Sequence, residues 1–291
     1  MSINFLTIGP ITHDLTADGF RFGGTVSFAS VTARRLGWQP GILTRASAEG
    51  LLQGPAPTTP IDLIAPDDSP LAGIPIHLLP SPVTTTFMNI YHDGVRTQVI
   101  AACADPVSPT DLPPAWADVP VVLLGPLAQD VPASWTAAFP HALMGVTPQG
   151  WMRGWDAAGH VSPTRWENAA SFLHRADVAV LSREDVGGDE AYIADLARLA
   201  RLLVITDGWH GATIYLGGAS HRVPPRLAAE VDPTGAGDVF ATSFLLRLAE
   251  TGDPFVATRF ANVTASMSVE APGMDSIPYR ARVEEWLAHN P

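Results

Sequence analysis

The chain has no lysine, and its one cysteine is Cys103. The first absence removes any mechanism that needs an ammonium group, including the lysine-bearing Walker phosphate loop. Bound phosphate must then be held by backbone amides and arginines. The second absence removes internal disulfides, which fits a reducing cytoplasm, and Cys103 reads as a small buried hydrophobe. No apolar run is long enough to span a membrane, and the N-terminus lacks a secretory pattern, so cytoplasmic residence is expected. Basic residues number 17 against 29 acidic ones, a net charge of −12. That balance argues against nucleic acid and anionic membranes as partners. The nine histidines show no His-x-His or His-Glu-x-x-His spacing, which argues against a metal hydrolase.

What is present is a globular chain, with 46% hydrophobic residues over 291 positions. Short β-branched or aliphatic runs cover residues 3–8, 41–44, 119–124, 142–146, 178–181, 202–206 and 212–216. Helical patterns at 28–36, 166–175, 191–199 and 239–250 fall between many of them. The alternation predicts an α/β fold with a mostly parallel central sheet and helices on its faces. Ligands of such sheets bind beyond the carboxyl ends of the strands. The polar punctuation at 9–14, 147–153, 182–185 and 206–211 is therefore where site residues are expected.

One segment differs. Residues 84–102 alternate around Asp93-Gly94, a two-residue hairpin signal that sets Asn89 opposite Gln98 and Tyr91 opposite Arg96. With residues 11–24, the stretch 74–103 is read as a small β lid on a single α/β domain covering 1–291. The stretch 46–73, rich in Pro, Ala and Asp, reads as irregular.

The strongest chemical signal is Asp232-Pro233-Thr234-Gly235-Ala236-Gly237-Asp238. Val239, Phe240, Phe244, Leu245 and Leu248 follow at helical spacing, and Gly252 stands where a helix would stop. A glycine loop that opens a helix offers free N–H groups at the positive end of the helix dipole, which suits phosphate. Asp238 in the first turn sets a carboxylate beside that cradle, the pairing that phosphoryl transfer to a hydroxyl requires. The same arrangement also occurs as a plain helix start.

Together with Gly23-Gly24 and the following Leu36-Gly37, this motif resembles the ribokinase (PfkB) family of carbohydrate kinases, whose members pair an N-terminal Gly-Gly with a C-terminal Asp-x-x-Gly-Ala-Gly-Asp. The resemblance runs from Gly9 to Gly273. It implies a ribokinase-like three-layer fold and an ATP- and Mg²⁺-dependent transfer of the γ-phosphoryl group to a small sugar, cyclitol or related polyol. It implies Asp238 as base and the amides of Gly235, Ala236 and Gly237 as anion hole. Asp14, Gly23 and Gly24 would contact substrate, joined by Asn89, Arg96 and Gln98 of the hairpin and by Gln149 and Arg153. Ser182, Thr206, Gly208, Gly211, Asn262 and Gly273 match nucleotide-side positions, and Asp185 the carboxylate that holds water around the metal. An exposed lid often pairs with a second copy in this family, so a homodimer through the lid is the implied assembly.

The chain also departs from the pattern. Ribose-type members carry an asparagine that touches the sugar where this chain has Phe28. Ser182 and Asp185 replace Asn and Glu, and Thr242 and Ser243 replace smaller residues. Thr84-Thr85-Thr86-Phe87, Gln149-Gly150 and Arg153 point to the inositol-kinase-like branch. Two alternatives stay open: a nucleoside kinase of the same fold, and a catalytically silent ligand-binding sensor. A dinucleotide-dependent oxidoreductase is disfavoured, because Phe240 occupies the third glycine's place.

Overall fold

The computed structural model describes residues 2–52, 56–92 and 95–290, and the side chains of residues 91, 92, 95 and 96 also fall outside the described set. In chain order the elements are β1 (Phe5–Ile8), β2 (Thr12–Thr16), β3 (Gly19–Gly23), α1 (Thr25–Arg35), β4 (Pro40–Ala46), β5 (Ile61–Ile64), β6 (Pro75–Pro80), β7 (Thr85–His92) and β8 (Val95–Ala102). Next come β9 (Val121–Leu124), β10 (Leu143–Val146), β11 (Arg153–Trp155), β12 (Val161–Pro163), α2 (Ala169–Leu173), β13 (Val178–Ser182), α3 (Glu190–Leu199), β14 (Leu202–Thr206), β15 (Ala212–Leu216) and β16 (Ala219–Val223). Three helices close the chain: α4 (Ala236–Thr251), α5 (Pro254–Ser268) and α6 (Arg280–His289).

Ten strands form the main sheet in the order β16-β15-β14-β13-β10-β9-β1-β4-β6-β5. The pairs from β14 across to β6 are parallel, and the outer pairs β5–β6, β14–β15 and β15–β16 are antiparallel. The inner strands are buried on both faces, so their side chains divide by parity. Leu6, Val122, Leu124, Ala179, Leu181, Leu203 and Ile205 join one core cluster, where Trp135, Phe139, Trp151, Trp166 and Phe172 also pack. Phe5, Val121, Leu123, Val178, Val180 and Val204 join the other, with Phe240, Phe244 and Phe260 from α4 and α5. Helices thus cover both sheet faces, as expected for the α/β class.

The chain builds β1, β4 and β6 outward to one side, then returns to lay β9 on the other side of β1. That reversal is a topological switch point, and it opens a crevice at the carboxyl ends of β1 and β9. A separate four-stranded sheet, in the order β3-β2-β7-β8, stands over this end. Its register pairs Asn89 with Gln98 and Tyr91 with Arg96, as read from the sequence. The Asp93-Gly94 turn lies outside the described residues.

Several expectations need correction. β5 falls inside the stretch read as irregular; its four residues alternate between half-buried and exposed at the sheet edge, too short and polar a pattern to stand out. β6 lies in the main sheet beside β4, so the lid does not include residues 75–80. Helix α1 begins at Thr25, before the first large apolar side chain. Helix α2 is confined to Ala169–Leu173, because Asn168 before it is left-handed. Cys103 is exposed.

Phe244 is fully buried between α4 and the sheet. Phe244→Ala should lower unfolding stability by about 3–5 kcal/mol, through lost transfer energy and the cavity left behind. Urea denaturation would read this as a lower midpoint at unchanged slope, and a loss below about 1 kcal/mol would contradict the assigned packing.

Candidate active site

Helix α4 starts where Gly235 adopts φ 76°, a left-handed conformation that favours glycine. A Cβ there would lie 2.2 Å from the Phe28 ring, so glycine is also needed for α1 and α4 to approach this closely. Gly235, Gly237 and Asp238 line a cleft of about 510 Å³ at the carboxyl end of the sheet. Ala236 does not line it, and its N–H donates to the Pro233 carbonyl at 3.1 Å. Of the three consecutive residues whose amides were expected to form an anion hole, Gly235 and Gly237 line the cleft, and the Ala236 amide closes the turn.

Asp238 borders the cleft and keeps partial exposure there, while protein surrounds the rest of its carboxyl. That burial pushes its pKa up to about 6; the Thr25 hydroxyl, which donates to it, and Arg153 pull the other way, and Asp185 adds to the rise. Thr25 is held from behind: a Cβ on Gly125 would lie 2.5 Å from its methyl carbon, so the bare backbone at the end of β9 makes room for it. Sequence reasoning missed Thr25, because its partner lies at the far end of the chain.

The lid supplies the opposite wall. Asp14 on β2 and Asn89 and Gln98 on β7 and β8 line the cleft, and Gln98 Nε2 donates to Asn89 Oδ1 at 3.1 Å. A Cβ at Gly23 would lie 2.3 Å from Asp14 Oδ2, so the glycine pair lets this carboxylate pass close to the hinge. Gly24 caps α1 and lines the cleft, whereas Gly23 only backs Asp14. The Thr12 hydroxyl, unremarked in the sequence, lines the cleft, buried and without a protein partner among the described residues. Arg153 lies with its guanidinium 5.6 Å from the centre of the Phe87 ring. The Arg96 side chain lies outside the described residues.

The strand ends form a second wall. Ser182 and Asp185 close a small box: Ser182 N–H donates to Asp185 Oδ2 at 2.8 Å, and Asp185 N–H to Ser182 Oγ at 3.0 Å. Gln149 Nε2 donates to the other Asp185 oxygen at 3.1 Å. Glu184, Thr206, Asp232 and Thr234 complete this wall. Burial disfavours ionisation of Asp232, yet hydrogen bonds from Thr234 and the Gly273 amide outweigh it and hold its pKa below the usual range.

Gly208, Gly211, Asn262 and Gly273 do not line the cleft. Asn262 donates to the carbonyls of Val223 and Pro224, at 3.3 and 3.0 Å, and so pins the exit of β16. Gly211 packs against that same exit. Gly273 reaches the site only through its amide on Asp232. Trp209, Leu227 and Val231, all exposed, lie in the segments around that exit.

Among the described residues no group of three or more acidic, histidine or cysteine side chains is arranged to hold a metal. Mg²⁺ keeps most of its water and takes one or two carboxylates together with substrate phosphates. Asp185 and Glu184 on the cleft wall fit that mode.

Residues 172–280 match the pfkB family of carbohydrate kinases. The resemblance is borne out. Ribokinase of Bacillus subtilis (strain 168) is 40% identical over 94 residues, 32% of each chain. Inositol 3-kinase of Arabidopsis thaliana is 38% identical over 87 residues, 29% of this chain and 25% of that one. The chain thus spans about a third or less of the length of these curated relatives. The whole fold is similar to a pyrophosphate-dependent kinase of the ribokinase family complexed with a pyrophosphate analog and myo-inositol, at TM-score 0.77 and 20% identity over 97% of this chain and 99% of that one. It is likewise similar to Arabidopsis thaliana ribokinase complexed with ribose and ATP, at TM-score 0.71 and 17% identity over 99% of both. The fold is therefore a ribokinase fold.

Behind the cleft, Asp130 is buried and accepts from the amides of Leu127 and Ala128 at 3.1 and 3.2 Å. Burial pushes its pKa up to about 6, although those amides and Arg153 favour the ionised form. Its folded pKa lies above the unfolded value of 3.8, so its favourable contribution is complete below that value and lost as pH rises through about 6. Asp130→Asn should flatten the fall in unfolding free energy between pH 4 and 7, by about 3 kcal/mol. Urea melts of both proteins across that range test this, and parallel curves would remove the assignment.

Proposed function

We propose that this protein transfers the γ-phosphoryl group of ATP to a hydroxyl of a small sugar, cyclitol or related polyol. The observation that carries the reading is the Asp238 carboxyl in the first turn of α4, beside the Gly235 and Gly237 amides in one cleft. The acceptor would lie under the lid against Asp14, Asn89 and Gln98, with its reacting hydroxyl toward Asp238. The Asp238 carboxylate takes the hydroxyl proton as the oxygen attacks the γ-phosphorus. The bond from that phosphorus to the bridging oxygen breaks, and ADP leaves with the electron pair. The two glycine amides and the α4 dipole stabilise charge on the equatorial oxygens. Mg²⁺, held through Asp185 and Glu184, would neutralise charge on the donor phosphates. The lid would exclude water and so suppress ATP hydrolysis.

Trp209, Leu227 and Val231 offer an exposed apolar surface for a base at the donor end. One observation favours a second donor, pyrophosphate: the side-chain amide of Asn262 is engaged by the chain's own carbonyls, and Gly208, Gly211 and Gly273 also stand back from the cleft, which leaves Ser182 and Thr206 as the nucleotide-matched positions that line it. The compartment in this reading is the cytoplasm, and the open β3 edge of the lid is the surface on which two copies would pair.

ADP release from Mg-ATP, and phosphate transfer from pyrophosphate, measured across cyclitols, pentoses, hexoses and nucleosides, tests the reading with Asp238→Asn as blank. Asp238→Asn should lower kcat about 10²–10⁴-fold with the donor KM little changed; near-normal turnover would remove the base assignment. Because Asp238 titrates at about 6, kcat/KM for the wild-type should climb with pH through that value and level off above it. A flat profile between pH 5 and 8 would contradict a base of that pKa.

A further inference from the structure

Phe28 stands where two demands meet. It is 5% exposed and lines the cleft. The same ring packs on the Gly235 backbone, leaving no room for a Cβ there. Phe87 and Leu127, both buried, also line the cleft. Polar groups border the same space from both sides: the Thr12 hydroxyl, which has no protein partner among the described residues, Asp14 and the bonded Asn89–Gln98 pair on the lid, and Gln149, Arg153 and Asp238 on the body.

This division of surface selects for shape. Phe28 offers the cleft only aromatic carbon and hydrogen. A substrate hydroxyl set against it would lose water and gain no partner, whereas a C–H face would gain dispersion contact and the ring's negative π face. A furanose such as ribose carries hydroxyls that project from its faces. A six-membered ring with mostly equatorial hydroxyls carries C–H bonds on its faces and O–H groups around its rim. Only the second kind satisfies an aromatic wall and a polar border together.

We infer that the acceptor is a six-membered polyhydroxylated ring, a cyclitol or pyranose with mostly equatorial hydroxyls, stacked by a C–H face on Phe28, and that Phe28 is the residue that sets this preference. The inference rests on the proposed kinase reading and narrows its acceptor. Since the same ring abuts Gly235, a substrate stacked there lies next to the anion cradle, with a rim hydroxyl able to reach Asp238.

Saturation-transfer difference NMR on the full chain, with myo-inositol, glucose and ribose (locked in the five-membered ring as its methyl furanoside) as probes, separates this inference from the kinase reading. Myo-inositol or glucose should show saturation of ring C–H protons, and ribose should show less. Phe28→Leu keeps apolar bulk and removes the π face; it should weaken binding of the six-membered ring about 3- to 10-fold. Phe28→Asn, checked for folding by its thermal melt, should also shift the preference toward ribose. Stronger saturation of ribose than of either six-membered ring in the wild-type, no saturation from either, or wild-type affinity in Phe28→Leu would overturn the inference. Phosphate transfer is measured in the same samples. Six-membered rings that bind without being phosphorylated would sink the kinase reading alone, and efficient transfer to ribose in preference to them would sink the inference alone.

Discussion

A carboxyl that must ionise in a place that resists ionisation governs this site. Asp238 sits at the positive end of α4, which favours its anion, and within protein that disfavours it. The balance leaves it well above an ordinary aspartate. In the proposed transfer it would be basic enough to take a proton from an alcohol and still be ionised near neutrality. That balance depends on distance. The Thr25 hydroxyl reaches the carboxyl because Gly125 leaves space behind it, and α1 can lie against the start of α4 because Gly235 has no side chain to meet Phe28. Bare backbone at two points of the fold thus tunes the surroundings of this carboxyl.

The sheet supplies the rest of the geometry. Its parallel strands all end on one side, so the loops after β9, β10, β13 and β14 deliver Leu127, Thr147 with Gln149, Ser182 with Asp185, and Thr206 to one cleft. The lid is a separate sheet whose parallel β2–β7 pairing joins residues near 12 to residues near 85. Asp14, Asn89 and Gln98 are thereby carried on one small sheet, and Ser182, Asp185, Thr206 and Asp238 on the α/β body. Under the proposed reading, residues on the lid could vary without disturbing the strands that fix Asp238.

What could be read from the sequence follows from how local its cause is. The helix start at 235–238 was legible, because glycine punctuation, an acidic first turn and a following apolar period are all contained in one stretch. The inner strands were legible because burial on both faces demands unbroken apolar runs. β5 and β16 were not, since edge strands face water and their patterns are short or polar. Nor was the role of Asn262: nothing near it in sequence says that its amide would be taken by carbonyls at the end of β16. Thr12 and Thr25 are small polar residues of a kind found in any chain, and only tertiary placement distinguishes them.

Charge adds a constraint on how such a cleft could work. Asp14, Glu184, Asp185, Asp232 and Asp238 line it, against Arg153 as the cationic side chain among its described lining residues. A polyphosphate brought here would meet more negative charge than positive. Like charges about 4 Å apart repel by about 4 kcal/mol at an effective dielectric of about 20. The chain has no lysine with which to offset this, and its arginines elsewhere are largely tied to carboxylates, as Arg183 is to Asp207 and Glu190, and Arg280 to Glu250. Neutralisation must then come from groups that are not side-chain cations: the amides of Gly235 and Gly237, the dipole of α4, and a divalent ion that arrives with the donor. If the proposed transfer takes place here, backbone geometry does the work that an ammonium group would otherwise do, and the glycines of the α4 start are electrostatic elements as much as conformational ones.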